Sequence, residues 1–243
     1  MRAAVISLVI PAYNEAELLP RLLDSVDVAR ARFAAADAVE VIVADNQSTD
    51  ATAELASARG CRVAPVEQRC IAAARNGGAA IASGDIIAFV DADIVIHPDT
   101  FSAISAAMAD SAVVGGATGV TLERWSAGLA CTYAMMVPMI WATGFDTGVV
   151  FCRRLDFAGL GGYDESRLAA EDVHFLWRLK RLGHSRRQRL LRLRYAKAVA
   201  STRKFDRYGD WHYFTQMPAM AIKSLGRSRS LTDFARRYWY EDR

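Results

Sequence analysis

The sequence predicts an α/β fold, a Rossmann-like sandwich with a mostly parallel central sheet, helices on both faces and a C-terminal extension. Short apolar runs at residues 5–10, 39–44 and 86–90 have the length and composition of strands covered on both faces. Stretches of helical length separate them, so strand, helix, strand, helix and strand fall within the first ninety residues, the pattern of right-handed βαβ crossovers. Each run also leads into acid: Glu15 after the first, Asp45 after the second, Asp91 and Asp93 after the third. Carboxylates thereby collect at the carboxyl edge of the sheet, where open α/β sheets bind ligands.

Taken in order, the first strand ends at Pro11, and Asn14 with Glu17 three residues later is expected to open a helix as a capping box. Leu18, Leu19, Leu22, Leu23 and Val26 then recur at helical spacing and should face the sheet. After the second strand, Asp45-Asn46-Gln47-Ser48-Thr49-Asp50 leads into a helix that Gly60 stops. Asp50 is expected to serve the helix start, which leaves Asp45 as the better ligand candidate. A short strand at 61–65 and a small-residue helix at 69–83 follow, the latter carrying the polar run Arg75-Asn76-Gly77-Gly78. Pro98 and Asp99 should open the next helix, and strands are expected at 112–123, 146–154 and 192–199. Glu171-Asp172 heads a helix that Gly183 should close.

With 243 residues and 52% hydrophobic content, the chain can bury a substantial core as one large domain with an appendage. Cys61, Cys70, Cys131 and Cys152 are scattered and lack metal-ligand spacing, so they read as small buried hydrophobes in a reducing cytosol. The apolar run after Arg2 reads as a strand and not a leader, because a strand exit follows it. Residues 125–145 carry no charge, but Gly128, Pro138 and Gly144 make a poor spanning helix, and an apolar groove wall is expected there.

The net charge of +3 hides an asymmetry. Residues 1–177 hold 12 basic and 22 acidic side chains, net −10, whereas 178–243 hold 18 and 5, net +13. A cationic appendage on an acidic body suits a polyanionic partner: a diphosphate, an anionic membrane surface or nucleic acid.

The spacing Asp91-Ala92-Asp93 suits a hard cation carrying a phosphate ester, although acids are also ordinary at strand exits. Glu15 is equally a first-turn acid near a helix dipole. The first turn reads Pro11-Ala12-Tyr13-Asn14-Glu15 and has no G-x-G-x-x-G, which excludes the standard dinucleotide fingerprint. Acids in place of glycines would hold a nucleotide through base and ribose, with a metal on its phosphates.

Four motifs in order carry a resemblance: Ile10-Pro11-Ala12-Tyr13-Asn14-Glu15, Asp45-Asn46-Gln47-Ser48-Thr49-Asp50, Ala74-Arg75-Asn76-Gly77 and Phe89-Val90-Asp91-Ala92-Asp93. Together they resemble the nucleotide-sugar half of a family 2 glycosyltransferase with the GT-A fold. Thr147-Gly148, Gly161-Gly162-Tyr163-Asp164, Glu171-Asp172 and Arg178-Leu179 are similar to that family's acceptor half, so the likeness covers about residues 5–183. The organisation it implies is a catalytic domain over 1–183, its donor half about 1–99 and its acceptor half about 100–183. Residues 184–243 would form a basic extension packed on that domain or flapping over it.

The resemblance implies a nucleotide-diphosphate sugar donor, a hydroxyl acceptor on a saccharide, lipid carrier or small molecule, Mn²⁺ or Mg²⁺, and inversion at the anomeric carbon. Pro11, Ala12, Tyr13 and Glu15 would line the nucleoside pocket, Asp45 would meet the base, and Arg75 would approach base or ribose. Asp91 and Ala92 would contact the donor, and Asp93 would bind the metal. Asp172 would be the general base, with Glu171 orienting it or touching the acceptor. His212 is a candidate further metal ligand, though a His beside aromatics is as readily a packed residue.

Gln188 is followed by Arg189-Leu190-Leu191, not by the signature of the processive synthases, which favours single additions. A flexible flap is expected at 201–213. Residues 231–240 mix Phe234, Trp239 and Tyr240 with Arg236 and Arg237, a composition for an interfacial helix on an anionic membrane or for docking on the body. The expected location is cytoplasmic, with that inner membrane face as the peripheral alternative and no nucleic-acid partner. Two other classes stay open. A nucleotidyltransferase would need a Gly-rich basic loop after the first strand, and a non-catalytic nucleotide-binding scaffold would not need the acids.

Overall fold

Seven consecutive residues, Ile6–Ala12, are buried from end to end, and this strand, β1, is the axis of the sheet. The computed structural model describes residues 4–167, 170–212 and 214. Parallel partners flank β1 on both sides, β2 (Val39–Asp45) in register Ile6↔Val39 and β4 (Ile86–Phe89) in register Ile6↔Ile86. Beyond β2 lies β3 (Arg62–Pro65), also parallel. Alternate residues of β1 enter opposite cores, Ile6, Leu8 and Ile10 on one face and Val9 on the other, the period-2 consequence of a strand buried on both sides.

Helix α1 (Leu19–Arg32) covers the first face with Leu19, Leu22, Leu23, Val26 and Ala29. It starts later than the capping-box reading: Asn14 sits at φ 52°, outside helical geometry, and the first turn is set by Pro20. Helix α2 (Thr52–Ala58) leads to Gly60 at φ 72° and into β3. Helix α3 (Ile71–Ala80) covers the other face, and its small residues are needed there. A Cβ on Gly78 would stand 2.4 Å from Val9 Cγ1, so only glycine lets this helix sit on β1.

The parallel order holds for β3-β2-β1-β4, and then the sheet changes direction. β5 (Ile94–Val95), α4 (Thr100–Ala109), β6 (Val113–Leu122), β7 (Val150–Arg153), α6 (Arg154–Gly159), α7 (Glu171–Ser185) and β8 (Arg189–Ala200) supply the rest of the sheet and its cover. β7 runs antiparallel to β4 and to β6, and β8 antiparallel to β5, giving the order β3-β2-β1-β4-β7-β6-β8-β5. The mostly parallel expectation therefore applies to the first half only, because the helical-crossover pattern stops at β4. The expected strand at 146–154 is confined to β7.

The chain forms two compact units, Met1–Thr121 with Phe145–Ala200, and Leu122–Gly144 with Ser201–Arg243. The second contains α5 (Ala127–Thr143) and α8 (Arg203–Tyr208). Arg124 ties it together, its guanidinium bonding Asp206 at 2.8 Å and Asp210 at 2.7 Å. Gly128 lies so close to Asp210 that an added Cβ would be 2.7 Å from its carbonyl oxygen. The uncharged segment is a 17-residue helix that includes Pro138, and part of the expected flap is the helix α8. Among the described residues no helix is long and apolar enough to cross a membrane. Cys70 and Cys152 are buried as expected, but Cys61 is half-buried and Cys131 is exposed on α5, since that helix turns one apolar face outward. The interfacial-helix reading of 231–240 falls outside the described residues.

Candidate active site

The loops after β1 and β2 are sewn to each other. Asn14 accepts the Thr49 N–H at 2.8 Å and donates its own N–H to Ser48 Oγ; the Glu15 N–H meets Thr52 Oγ1 at 2.9 Å, and the Ala16 N–H meets Asp50 Oδ2. Asn46 is buried and fixes the next loop, donating to the Val66 and Gln68 carbonyls and accepting the Cys70 N–H. Asn14, Asn46 and Asp50 are thus occupied in building the edge. In the same register row stand Pro11 beside Ala44 and Ala12 beside Asp45, so the ends of β1 and β2 meet side by side. Asp45 Oδ1 accepts the Ser48 N–H at 3.2 Å, Glu15 is buried, and the Arg69 guanidinium lies 4.0 Å from the Tyr13 ring centroid.

Arg75 is the centre of the acidic group. It projects from α3, is 3% exposed, and reaches three carboxylates. Nη1 donates to Glu171 Oε1 at 2.7 Å and approaches Asp172 Oδ1 at 3.0 Å; Nη2 donates to Asp91 Oδ1 at 2.8 Å and to Asp172 Oδ2 at 3.2 Å. Asp91 follows β4, whereas Glu171 and Asp172 form the first turn of α7, eighty residues later. Ala170, just before that turn, is held at φ 57°, a left-handed conformation that costs a non-glycine residue about 1 kcal/mol. Tyr163 roofs the group: it is buried, stacks on Phe175 at 4.7 Å, meets Phe89 edge-on at 5.1 Å, and has Arg75 5.1 Å from its ring centre. Asn76 holds Tyr163 in place through both backbone groups, its amide donating to the Tyr163 carbonyl and its oxygen accepting the Tyr163 N–H.

Three carboxylates around one cation set the electrostatics. Burial lifts Asp172 to about 7, reinforced by Glu171 and Asp91 and opposed by Arg75 and the Tyr163 hydroxyl. The guanidinium of Arg75 stays protonated: burial works against its charge, but Asp172 and Asp91 outweigh it and raise its pKa well above the usual value. An aspartate poised near neutrality is fitted to take a proton.

Asp91 and Asp93 straddle the buried Ala92 and are both partly exposed. As hard oxygen donors they fit Mn²⁺ or Mg²⁺. Among the described residues no three His, Cys, Asp or Glu side chains gather into a metal cage, so such an ion would draw its remaining ligands from water and from a phosphate-bearing ligand, the usual habit of Mg²⁺. His212 belongs to the second unit, where it is buried, packs edge-on to Phe205 and lies 2.8 Å from the Gly209 carbonyl through Nδ1.

Two participants escape a sequence reading. Arg69 on Tyr13 leaves no local signal, and neither does the left-handed Ala170. Tyr163 could be found from its Gly161-Gly162 context: both glycines have positive φ, and a Cβ on Gly162 would strike Asn76 Oδ1 at 2.5 Å.

Comparison with known proteins gives the fold type and the family. A mannosyltransferase from Pyrobaculum calidifontis, PcManGT, solved with GDP-Man and Mn²⁺, superposes with a TM-score of 0.66 at 23% identity, covering 92% of this chain and 65% of that one. S. aureus TarS 1-349 with UDP-GlcNAc gives 0.63 at 18% identity over 82% of this chain and 58% of that one. These likenesses establish a GT-A type fold. In sequence, validoxylamine A glucosyltransferase of Streptomyces hygroscopicus subsp. jinggangensis is 38% identical over 114 residues, 44% of this chain and only 26% of that longer protein. Residues 7–154, more than half of the chain, match the family model described as glycosyl transferase family 2, and the protein belongs to that family.

Proposed function

We propose that the protein transfers a sugar from a nucleotide-diphosphate sugar to an acceptor hydroxyl, one residue at a time and with inversion. The observation that carries this reading is the Arg75 bridge, which joins Asp91 at the edge of β4 to Glu171 and Asp172 on α7. Pro11, Ala12, Tyr13, Glu15 and Asp45 receive the nucleoside, and Asp91 and Ala92 receive the ribose and sugar diphosphate. Asp172 removes the acceptor proton as the acceptor oxygen bonds to the anomeric carbon; the bond from that carbon to the diphosphate oxygen breaks, and the diphosphate carries away the electron pair. Attack opposite the leaving group turns an α-linked donor into a β-linked product, with a sugar or lipid hydroxyl in the place of the water of an inverting hydrolase. Glu171 orients the base or the acceptor. A divalent cation held by Asp93 would supply positive charge against the departing diphosphate.

A screen of nucleotide sugars with Mn²⁺ and Mg²⁺ tests the reading by following nucleoside diphosphate release with and without hydroxyl acceptors. Acceptor-stimulated release from one donor class is expected. Pyrophosphate release from a nucleoside triphosphate and a sugar phosphate, with no diphosphate release from any donor, would replace it with nucleotidyl transfer.

A further inference from the structure

We infer that the outward face of α5 is a docking surface for an anionic lipid bilayer, a property separate from the chemistry proposed above. The helix buries Gly128, Leu129 and Thr132 and exposes Ala127, Ala130, Cys131, Ala134, Met135 and Pro138, which recur three and four residues apart as one stripe. A helix on a protein surface ordinarily turns charged side chains to water. This one has no charged residue anywhere in its 17 positions, and Met135 is 54% exposed.

Aromatic side chains of the same unit are also exposed: Trp125, packed edge-on to Tyr133 before the helix, and Trp211 and Phe214 after α8. Indole and phenyl rings of that kind settle at the level of lipid headgroups. Charge selects the lipid. Residues 201–243 hold nine Lys and Arg against five Asp and Glu, so the unit that presents the apolar stripe is cationic and complements an anionic surface. The helix is too short in apolar length to cross the bilayer, so it lies in the interface.

Sedimentation of the full chain with phosphatidylcholine vesicles, with and without phosphatidylglycerol, tests the inference. Association only with the anionic vesicles is expected, weakening as salt is raised. Ala134→Glu with Met135→Glu should weaken it on the order of tenfold or more, with an unchanged unfolding midpoint. If the double variant fails to fold, Met135→Gln alone should still give a severalfold loss. Equal partition of wild type and variant, no association of the wild type, or equal association with neutral vesicles would overturn it. So would a wild-type dimer in vesicle-free solution that the variant converts to monomer, because the stripe would then be a contact between copies.

Discussion

The two ends of the central sheet treat a partly buried carboxylate in opposite ways. At the amino end, Glu40 opens β2 opposite Ser7 and is surrounded by donors: the Ser7 hydroxyl, the Ser83 N–H at 2.6 Å and its hydroxyl at 2.9 Å, the Gly84 N–H at 3.1 Å and Arg62 at 2.9 Å. Burial pushes its pKa up, but the hydrogen bonds from Ser7 and Ser83 outweigh it and pull Glu40 down to about 2. At the carboxyl end the ratio is reversed. Three acids share Arg75, and burial, reinforced by Glu171 and Asp91, lifts Asp172 to about 7. One acid with many donors is locked in its charged form and acts as a joint between strands, whereas Asp172, buried among acids that outnumber their donors, keeps a proton within reach of pH 7.

The largest effect that separates the two ends is chemical. Asp172→Asn keeps the shape of the side chain and removes its basicity. We expect kcat for sugar transfer to fall by about 10²- to 10⁴-fold, with donor affinity changed only severalfold. Glu40→Gln in the same assay should leave kcat nearly intact. Turnover unchanged in Asp172→Asn would take the base away from α7 and leave its raised pKa without a function.

Next in size is the shared cation. Arg75→Met strands three carboxylates with no partner, and a loss of about 3 kcal/mol in unfolding free energy is expected at neutral pH, as when one side of a buried ion pair is removed. Because Arg75 holds Asp172 down, its removal should also move the acid limb of any residual activity to higher pH. A purely structural role would lower the unfolding midpoint without moving that limb, so the two readouts distinguish packing from electrostatic control.

These contrasts show which parts of the molecule were legible in the chain. The apolar runs fix β1, β2 and β4 because strands buried on both faces need continuous hydrophobicity, and the acids that follow them fall at the carboxyl edge for the same reason. The Arg75 motif was visible as polarity in a small-residue helix, but its three partners lie 16 to 97 positions away, a distance set by tertiary closure that no local pattern encodes. Asn14 looked like a helix cap because its side chain is a good acceptor; it spends that capacity on Thr49 in the neighbouring loop. The antiparallel half of the sheet was illegible because β5, β6 and β7 do not follow the crossover pattern that identifies parallel neighbours.

The smallest expected effects are in the pH dependence of stability, where the two ends should differ in sign. Glu40 is near 4.5 when unfolded and near 2 when folded, so its contribution is complete above about pH 4.5 and is lost as pH falls towards 2. Glu40→Gln should cost about 1–2 kcal/mol at pH 7 and flatten that acid slope, discounting for its partial solvent contact. Asp172 is near 3.8 unfolded and about 7 folded, so the native state binds the extra proton between those values and loses stability as pH rises through them. Asp172→Asn should therefore make the protein relatively more stable at pH 7 than at pH 4, measured against wild type by urea titration. The carboxyl end would then be the place where the fold gives up stability to hold a base, and the opposite slope in Glu40→Gln would show that the amino end does not. Parallel slopes in the two variants would mean that donor count does not govern these carboxylates, and the contrast between the two edges would fail.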